Sequence, residues 1–118
     1  MSTNREPAQE VMAALADPTR RQIMDLLSRE GGGTATTVAS SLPVSRQAVV
    51  KHLAVLDRAG LVKGHKIGRE MRYHICPQPL DDTAQWMSSL ASDWDLRLRM
   101  IQHIAETATE PEGSDSSA

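Results

Sequence analysis

The stretch that decides the fold is residues 45–62, with the sequence SRQAVVKHLAVLDRAGLV. Ser45 belongs to the residue types that favour the N-cap of a helix, and Gly60 to the type that most often ends one. Between them apolar residues recur at the spacing of one helical face: Val49, Leu53 and Leu56. The stretch therefore predicts a helix from Arg46 to Ala59 with one buried and one exposed side.

A second, shorter helix is predicted just before it. Thr34 is a suitable N-cap, and Pro43 prevents the helix from continuing. The link Leu42-Pro43-Val44 has the length of the turn in a helix-turn-helix motif. In such a motif the second helix enters the DNA major groove with its N-terminal end close to the bases.

After Gly60 the apolar period changes from helical to alternating. Two strands are predicted, Leu61 to Ile67 and Glu70 to Ile75, joined at Gly68-Arg69 as a β-hairpin. This turn puts four polar residues on one face, namely Lys63, His65, Arg72 and His74, and four less polar ones on the other, namely Val62, Met71, Tyr73 and Ile75.

The remaining periodicity predicts three more helices: Pro7 to Ala16, Thr19 to Arg29, and Leu80 to about Ala105. The glycines 31–33 predict a flexible break. The predicted fold is mainly α with a small β-hairpin, a winged helix-turn-helix with a long C-terminal dimerisation helix. One domain, residues 8–106, lies between a flexible N-terminus, residues 1–7, and a disordered acidic tail, residues 107–118.

Composition points to a soluble protein of the cytoplasm. No apolar run reaches the length of a membrane span, the N-terminus is polar, and the single cysteine, Cys76, has no partner for an intramolecular disulfide. The chain contains no Phe, so an aliphatic core is expected. No enzyme motif is present, and neither a catalytic residue nor a cofactor is predicted.

Charge is concentrated where DNA binding is expected. The whole chain has a net charge of −2, yet residues 46–73 contain seven basic residues against two acidic ones. Arginine and glutamine match the base edges of guanine and adenine, and cations match phosphates. The predicted DNA contacts are Ser45, Arg46, Gln47, Val50 and Lys51 on the helix and Lys66, Arg69 and Arg72 on the hairpin.

Residues 14–21, ALADPTRR, followed by Ile23, Leu27 and residues 45–62, resemble the ArsR family of bacterial repressors. The resemblance covers roughly residues 8–105; within it VKHLAVL at 50–56 is similar to the recognition-helix motif and residues 68–73 to the wing. It implies a homodimeric winged helix-turn-helix repressor of double-stranded DNA. Val50 stands where the family usually has serine, so a hydroxyl contact to DNA is not carried over. His52 matches, and we expect it to pack beside Val49 and Leu53.

The family resemblance also implies that the first and last helices pair across a two-fold axis. An apolar stripe along the last helix is longer than a small core requires, which favours an interface between two copies. The two tryptophans resemble the SdpR-like, autorepressor branch of the family. The predicted interface residues are Val11, Met12, Leu15, Trp86, Leu90, Trp94, Leu98 and Ile101.

Many ArsR-like proteins release DNA when a metal binds, but the ligands for such a site are incomplete in this sequence. The recognition helix has no cysteine pair, and on the last helix only His103 and Glu106 have a suitable spacing. No metal site is therefore predicted. A metal- or redox-responsive sensor using His74 and Cys76, an unknown small-molecule effector, and a winged helix for protein contacts remain as alternatives.

Overall fold

The computed structural model describes residues 5–109, which form five helices and three short strands. Their order agrees with the winged helix-turn-helix predicted from the sequence. The first helix begins at Arg5, inside the segment for which a flexible N-terminus is predicted, and residues 110–118 of the predicted tail lie outside the described part. The elements are α1 (Arg5–Ala14), α2 (Pro18–Glu30), β1 (Gly33–Thr34), α3 (Ala35–Ser41), α4 (Arg46–Arg58), β2 (Val62–Ile67), β3 (Glu70–Ile75) and α5 (Pro77–Thr109).

The two helices of the helix-turn-helix begin at the predicted caps. The Oγ of Ser45 accepts a hydrogen bond from the amide of Ala48 at 3.1 Å. Thr34 and Thr37 form a reciprocal capping box at the start of α3. Each cap satisfies amides that have no partner inside the helix, so the starting points of α3 and α4 are fixed by local sequence.

The sheet has the order β1-β3-β2 and is antiparallel throughout. Pairing of Lys63 with His74 and a turn at Gly68, whose φ is +64°, confirm the predicted hairpin and its two faces. The prediction of a flexible break at residues 31–33 is wrong, because Gly33 pairs with Tyr73 in β1. A Cβ on the neighbouring Gly32 would lie 2.9 Å from the carbonyl oxygen of Tyr73, so glycine is needed there for close packing.

The core is aliphatic, as the absence of Phe requires, and lies among the helices and the start of β2. Val11 is only 2% exposed and belongs to it, so its assignment to a dimer interface is corrected: its side chain already packs within one copy. The fully buried side chains of this core include Ile23, Leu27, Val38, Val49, Leu53, Leu56 and Leu61.

The last helix is longer than predicted at both ends. It begins at Pro77 rather than Leu80 and continues to Thr109. Pro77 and Pro79 both fall in its first turn, where a missing amide hydrogen breaks no helical hydrogen bond, so they start the helix instead of preceding it. The structure divides into two units, one ending at Ala84 and one beginning at Gln85. None of the helices within residues 5–109 is long and apolar enough to cross a bilayer.

Candidate nucleic-acid interface

One side of α4 is buried and the other is open to solvent. The buried positions are those of the core, while Val50, 41% exposed, lies on the open side. This division follows directly from the helical spacing of the apolar residues. The exposed residues of α4 include every predicted DNA contact on this helix: Arg46, Gln47, Val50 and Lys51; the cap Ser45 is exposed as well.

The first residue of α4 is held by α3. The Nε of Arg46 donates a hydrogen bond to the Oγ1 of Thr36 at 3.1 Å, and both side chains are exposed. Only Nε takes part in this contact, so Thr36 does not use the two terminal guanidinium nitrogens. The contact also limits the directions in which these nitrogens point. Thr36 was not among the predicted site residues, because no local sequence pattern reports a contact across the turn.

A cleft of about 270 Å³ separates the start of α4 from the wing, the β2–β3 hairpin. Arg46 and Val50 line it from α4, and Arg69 and Met71 line it from the hairpin. Two arginines from elements distant in sequence therefore border one groove. The groove is also lined by Thr36, Tyr73 and the acidic Glu70, so it combines hydrogen-bonding groups, one carboxylate among them, with apolar side chains.

The strand register divides the predicted wing contacts between two faces. Lys66 pairs with Met71 and shares the face of the cleft, and Arg69 lies in the turn. Arg72 pairs with His65 and lies on the opposite face. That second face also holds a stacked pair of imidazoles, His65 and His74, with ring centroids 4.7 Å apart. DNA would therefore have to reach Arg72 from the other side of the hairpin than Lys66. The contacts of Lys66, Arg69 and Arg72 with DNA stay predictions.

Every basic side chain of the 46–73 segment is exposed. Within residues 7–108, no carboxylate lies within 4.0 Å of any of them, since the ion pairs found there involve other residues. Exposed cations without a carboxylate partner create a positive potential that attracts a polyanion. The basic side chains are Arg46, Lys51, Arg58, Lys63, Lys66, Arg69 and Arg72.

Comparison with known proteins identifies the family of this chain. A sequence family described as a helix-turn-helix domain matches residues 15–65. The transcriptional repressor SdpR of Bacillus subtilis is 33% identical over 72% of this chain and 93% of its own length. An ArsR-like transcriptional regulator from Rhodococcus sp. RHA1 is 40% identical and superimposes with a TM-score of 0.81 over 88% of this chain and 97% of its own. The chain belongs to the ArsR family.

A further solved structure is relevant to assembly. It is a homodimeric winged helix-turn-helix DNA-binding domain from Mycobacterium bovis, 26% identical to this ArsR-family regulator. The TM-score is 0.57, and the match covers 76% of this chain and 80% of that one. The likeness shows a shared winged helix-turn-helix fold.

The second unit of this ArsR-family regulator is an exposed amphipathic helix. Trp94 is 58% exposed and Ile101 is 61% exposed, although both are large apolar side chains. Trp86 is half-buried. The exposed apolar residues include the predicted Leu90, Trp94, Leu98 and Ile101, together with Met87, Leu96, Met100 and Ile104, which were not assigned to an interface from the sequence.

The groups considered for metal or redox chemistry belong to different elements of the fold. Cys76 is a half-buried free thiol at the end of β3, and His103 is exposed on α5. Among residues 5–109, no three His, Cys, Asp or Glu side chains come together in a way that could hold a metal ion. The expectation that this ArsR-family regulator works without a metal stays a prediction.

Proposed function

We propose that this ArsR-family chain is a sequence-specific transcriptional repressor that inserts the start of α4 into the major groove of its operator. The observation that carries the proposal is the cleft between α4 and the wing, bordered by Arg46 and Arg69. Arginine can bond to guanine and glutamine to adenine through paired hydrogen bonds, so Arg46 and Gln47 are the proposed base contacts. Basic side chains of the wing fix the register by bonding to phosphates.

Repression is favoured over activation by the relatives. SdpR, which this chain resembles along almost the whole of the SdpR sequence, is a transcriptional repressor. A protein that occupies promoter DNA competes directly with RNA polymerase for the same surface. No additional domain is needed for that mechanism, and one DNA-binding fold is sufficient.

The proposed repressor acts as a homodimer joined through α5. Large apolar side chains are rarely left exposed in such number on a monomer, and a second copy would cover them. The Mycobacterium bovis relative is homodimeric. Two α4 helices related by a two-fold axis would contact an inverted repeat with half-site centres about 10 base pairs apart.

The test compares two arginines at opposite ends of α4. We expect the protein to bind a duplex from its own upstream region at least ~10³-fold more tightly than a scrambled duplex at about 150 mM salt. Arg46→Gln should weaken binding to the specific duplex by about 10- to 100-fold, the usual value of a base contact. Arg58→Gln removes the same charge from the last residue of α4 and should leave affinity within about twofold.

Fluorescence anisotropy with labelled duplexes measures both affinities. The unmodified protein could bind the two duplexes equally, and duplexes selected from a random library could bind no more tightly than the scrambled one. These two results together would rule out sequence-specific repression. A winged helix that serves protein contacts would then be the better explanation. Equal losses for Arg46→Gln and Arg58→Gln would reduce the role of Arg46 to bulk electrostatics.

A further inference from the structure

The guanidinium of Arg20 closes the C-terminal end of α1. Its Nε donates to the carbonyl oxygen of Ala14, and its Nη2 donates to that of Ala13 at 3.4 Å. The last carbonyls of a helix have no partner within the helix, so the bond to Ala14 satisfies such an acceptor, while the carbonyl of Ala13 also accepts from the amide of Ala16 at 3.3 Å. Arg20 itself lies in the first turn of α2, which ties the end of one helix to the start of the next.

The same guanidinium also reaches α4. Its Nη1 lies 3.3 Å from the Nδ1 of His52, whose side chain is only 22% exposed. A guanidinium can donate but not accept, so a hydrogen bond between the two groups runs from Arg20 to the Nδ1 of His52. Arg20, which lies in α2, therefore bonds to both α1 and α4 and joins three helices.

Asp17 is the competing partner of His52, at 3.7 Å between Oδ2 and Nδ1. The same Oδ2 already accepts a hydrogen bond from the backbone amide of Arg20 at 3.1 Å, as the N-cap of α2. Since 3.7 Å is beyond an ordinary hydrogen bond, Arg20 is the nearer polar partner of this ring nitrogen. Asp17 holds the backbone of Arg20 in place, and Arg20 holds the imidazole.

The position of His52 on α4 gives this contact a mechanical consequence. Its ring lies between the buried side of the helix and the exposed side that carries Arg46 and Gln47. A group roughly 6 Å from a helix axis moves about 1 Å when the helix turns by 10°. A rotation that carries the ring away from the guanidinium by that distance would lengthen the Arg20 contact beyond a hydrogen bond and would move the proposed base-contacting side chains by about as much.

We propose that Arg20, acting through His52, is a positioning residue for base recognition, because it fixes the rotation of α4 relative to α1 and α2. The inference rests on the proposed function, which supplies the DNA site. Neither side chain needs to contact DNA. The contact contributes to discrimination between sequences rather than to attraction for phosphates.

Arg21 provides a matched control for Arg20. Its Nη1 donates to the carbonyl oxygen of Leu15 at 2.6 Å, so it also bonds to the backbone after α1, but within the described residues no hydrogen bond or ion pair joins its side chain to α4. Lysine at either position keeps the charge and loses the forked geometry. Arg20→Lys should weaken binding to the specific duplex about tenfold while affinity for a scrambled duplex stays within about twofold. Arg21→Lys should leave both affinities within about twofold.

Variants of His52 separate positioning from general stability. His52→Asn keeps an acceptor near the place of Nδ1 and should retain specific binding, whereas His52→Leu should lose about as much as Arg20→Lys. The double variant Arg20→Lys with His52→Leu should be no weaker than either single variant, since both remove one interaction. The melting temperature of each variant is measured as a control, so that every affinity refers to folded protein.

Specific binding by Arg20→Lys equal to that of the unmodified protein would overturn the inference while leaving the proposed repressor intact. An equal loss on both duplexes would also overturn it, as it would make Arg20 a phosphate contact. Equal binding of both duplexes by the unmodified protein would instead remove the proposed function and the inference with it. Nitrogen-15 NMR of the imidazole gives a readout without DNA: Nδ1 of His52 should be unprotonated and should shift in Arg20→Lys but not in Arg21→Lys.

Discussion

Arg46 and Arg69, at the mouth of the cleft, have different roles in the proposed DNA binding. Arg46 is bonded to Thr36 through Nε, so its two terminal nitrogens are presented together on a partly fixed side chain. A side chain that is already ordered loses less conformational entropy when it binds a base. Arg69, in the turn of the wing, borders the same cleft and has no carboxylate partner in the described residues.

The two faces of the wing can be distinguished by salt dependence. Arg69→Gln should make the negative slope of log affinity against log salt less steep by about 0.9, because one phosphate contact is lost. Lys63→Gln removes the same charge from the face opposite the cleft and should leave the slope unchanged. Binding to the specific duplex at several concentrations of salt gives both slopes. Equal changes in the two slopes would mean that the wing contacts DNA through both faces.

The exposure of the proposed DNA contacts on α4 could be predicted, because exposure on a helix follows from spacing. The positions 46, 47, 50 and 51 are exposed for the same reason that 49, 53 and 56 are buried. Contacts between elements could not be predicted in this way. Thr36 with Arg46, and Arg20 with His52, join residues 10 and 32 positions apart, and only the crossing of the helices brings them together. Val11 was misassigned because its stripe faces the core of its own copy.

At the scale of elements, α5 has a pattern suited to pairing. Met87, Trp94 and Ile101 recur every seven residues on one side of the helix, and all three are exposed. A strict repeat of seven is the period at which two helices remain in contact along their length. The positions three residues further along, 90, 97 and 104, form a neighbouring row on the helix. Arg97 interrupts this row with a charge, which would restrict the two helices to one register.

A charge in the middle of this stripe should separate the two copies. Trp94→Glu is expected to give a monomer at about 10 μM, because a central aromatic side chain commonly contributes 2 kcal/mol or more to an interface. Ser92→Glu adds the same charge two residues earlier, nearly on the opposite side of the helix, and should leave the dimer intact. Light scattering coupled to gel filtration measures both masses. A dimeric Trp94→Glu protein would place the contact elsewhere.

The helices α1 to α4 were predicted close to their observed bounds. The errors concern β1, which is very short, and α5, which begins with prolines. Gly33 and Thr34 form a strand too short to show alternation, and its pairing with β3 depends on residues 40 positions away. Pro77 and Pro79 were taken as a break, although a proline in the first turn is compatible with a helix. The caps at Thr34 and Ser45 needed no tertiary information, so those boundaries were correct.

For the whole molecule, the proposed two-fold dimer makes binding depend on DNA geometry. Five base pairs inserted between the half-sites turn one of them by about half a helical turn away from its α4 helix. We expect affinity for this duplex to fall to that of a single half-site. Five base pairs inserted outside the repeat should have no effect. Unchanged affinity for the first duplex would mean that the two halves bind independently.

The distribution of aromatic side chains makes this protein its own optical probe. Both tryptophans lie on α5, the single tyrosine lies on the wing, and the chain has no Phe. Indole emission consequently originates only from the helix proposed to join two copies, and Trp94 is more than half exposed when no partner covers it. The wavelength of the emission maximum distinguishes an α5 covered by a partner copy from one exposed to solvent. The measurement needs no dye and can be made with or without DNA.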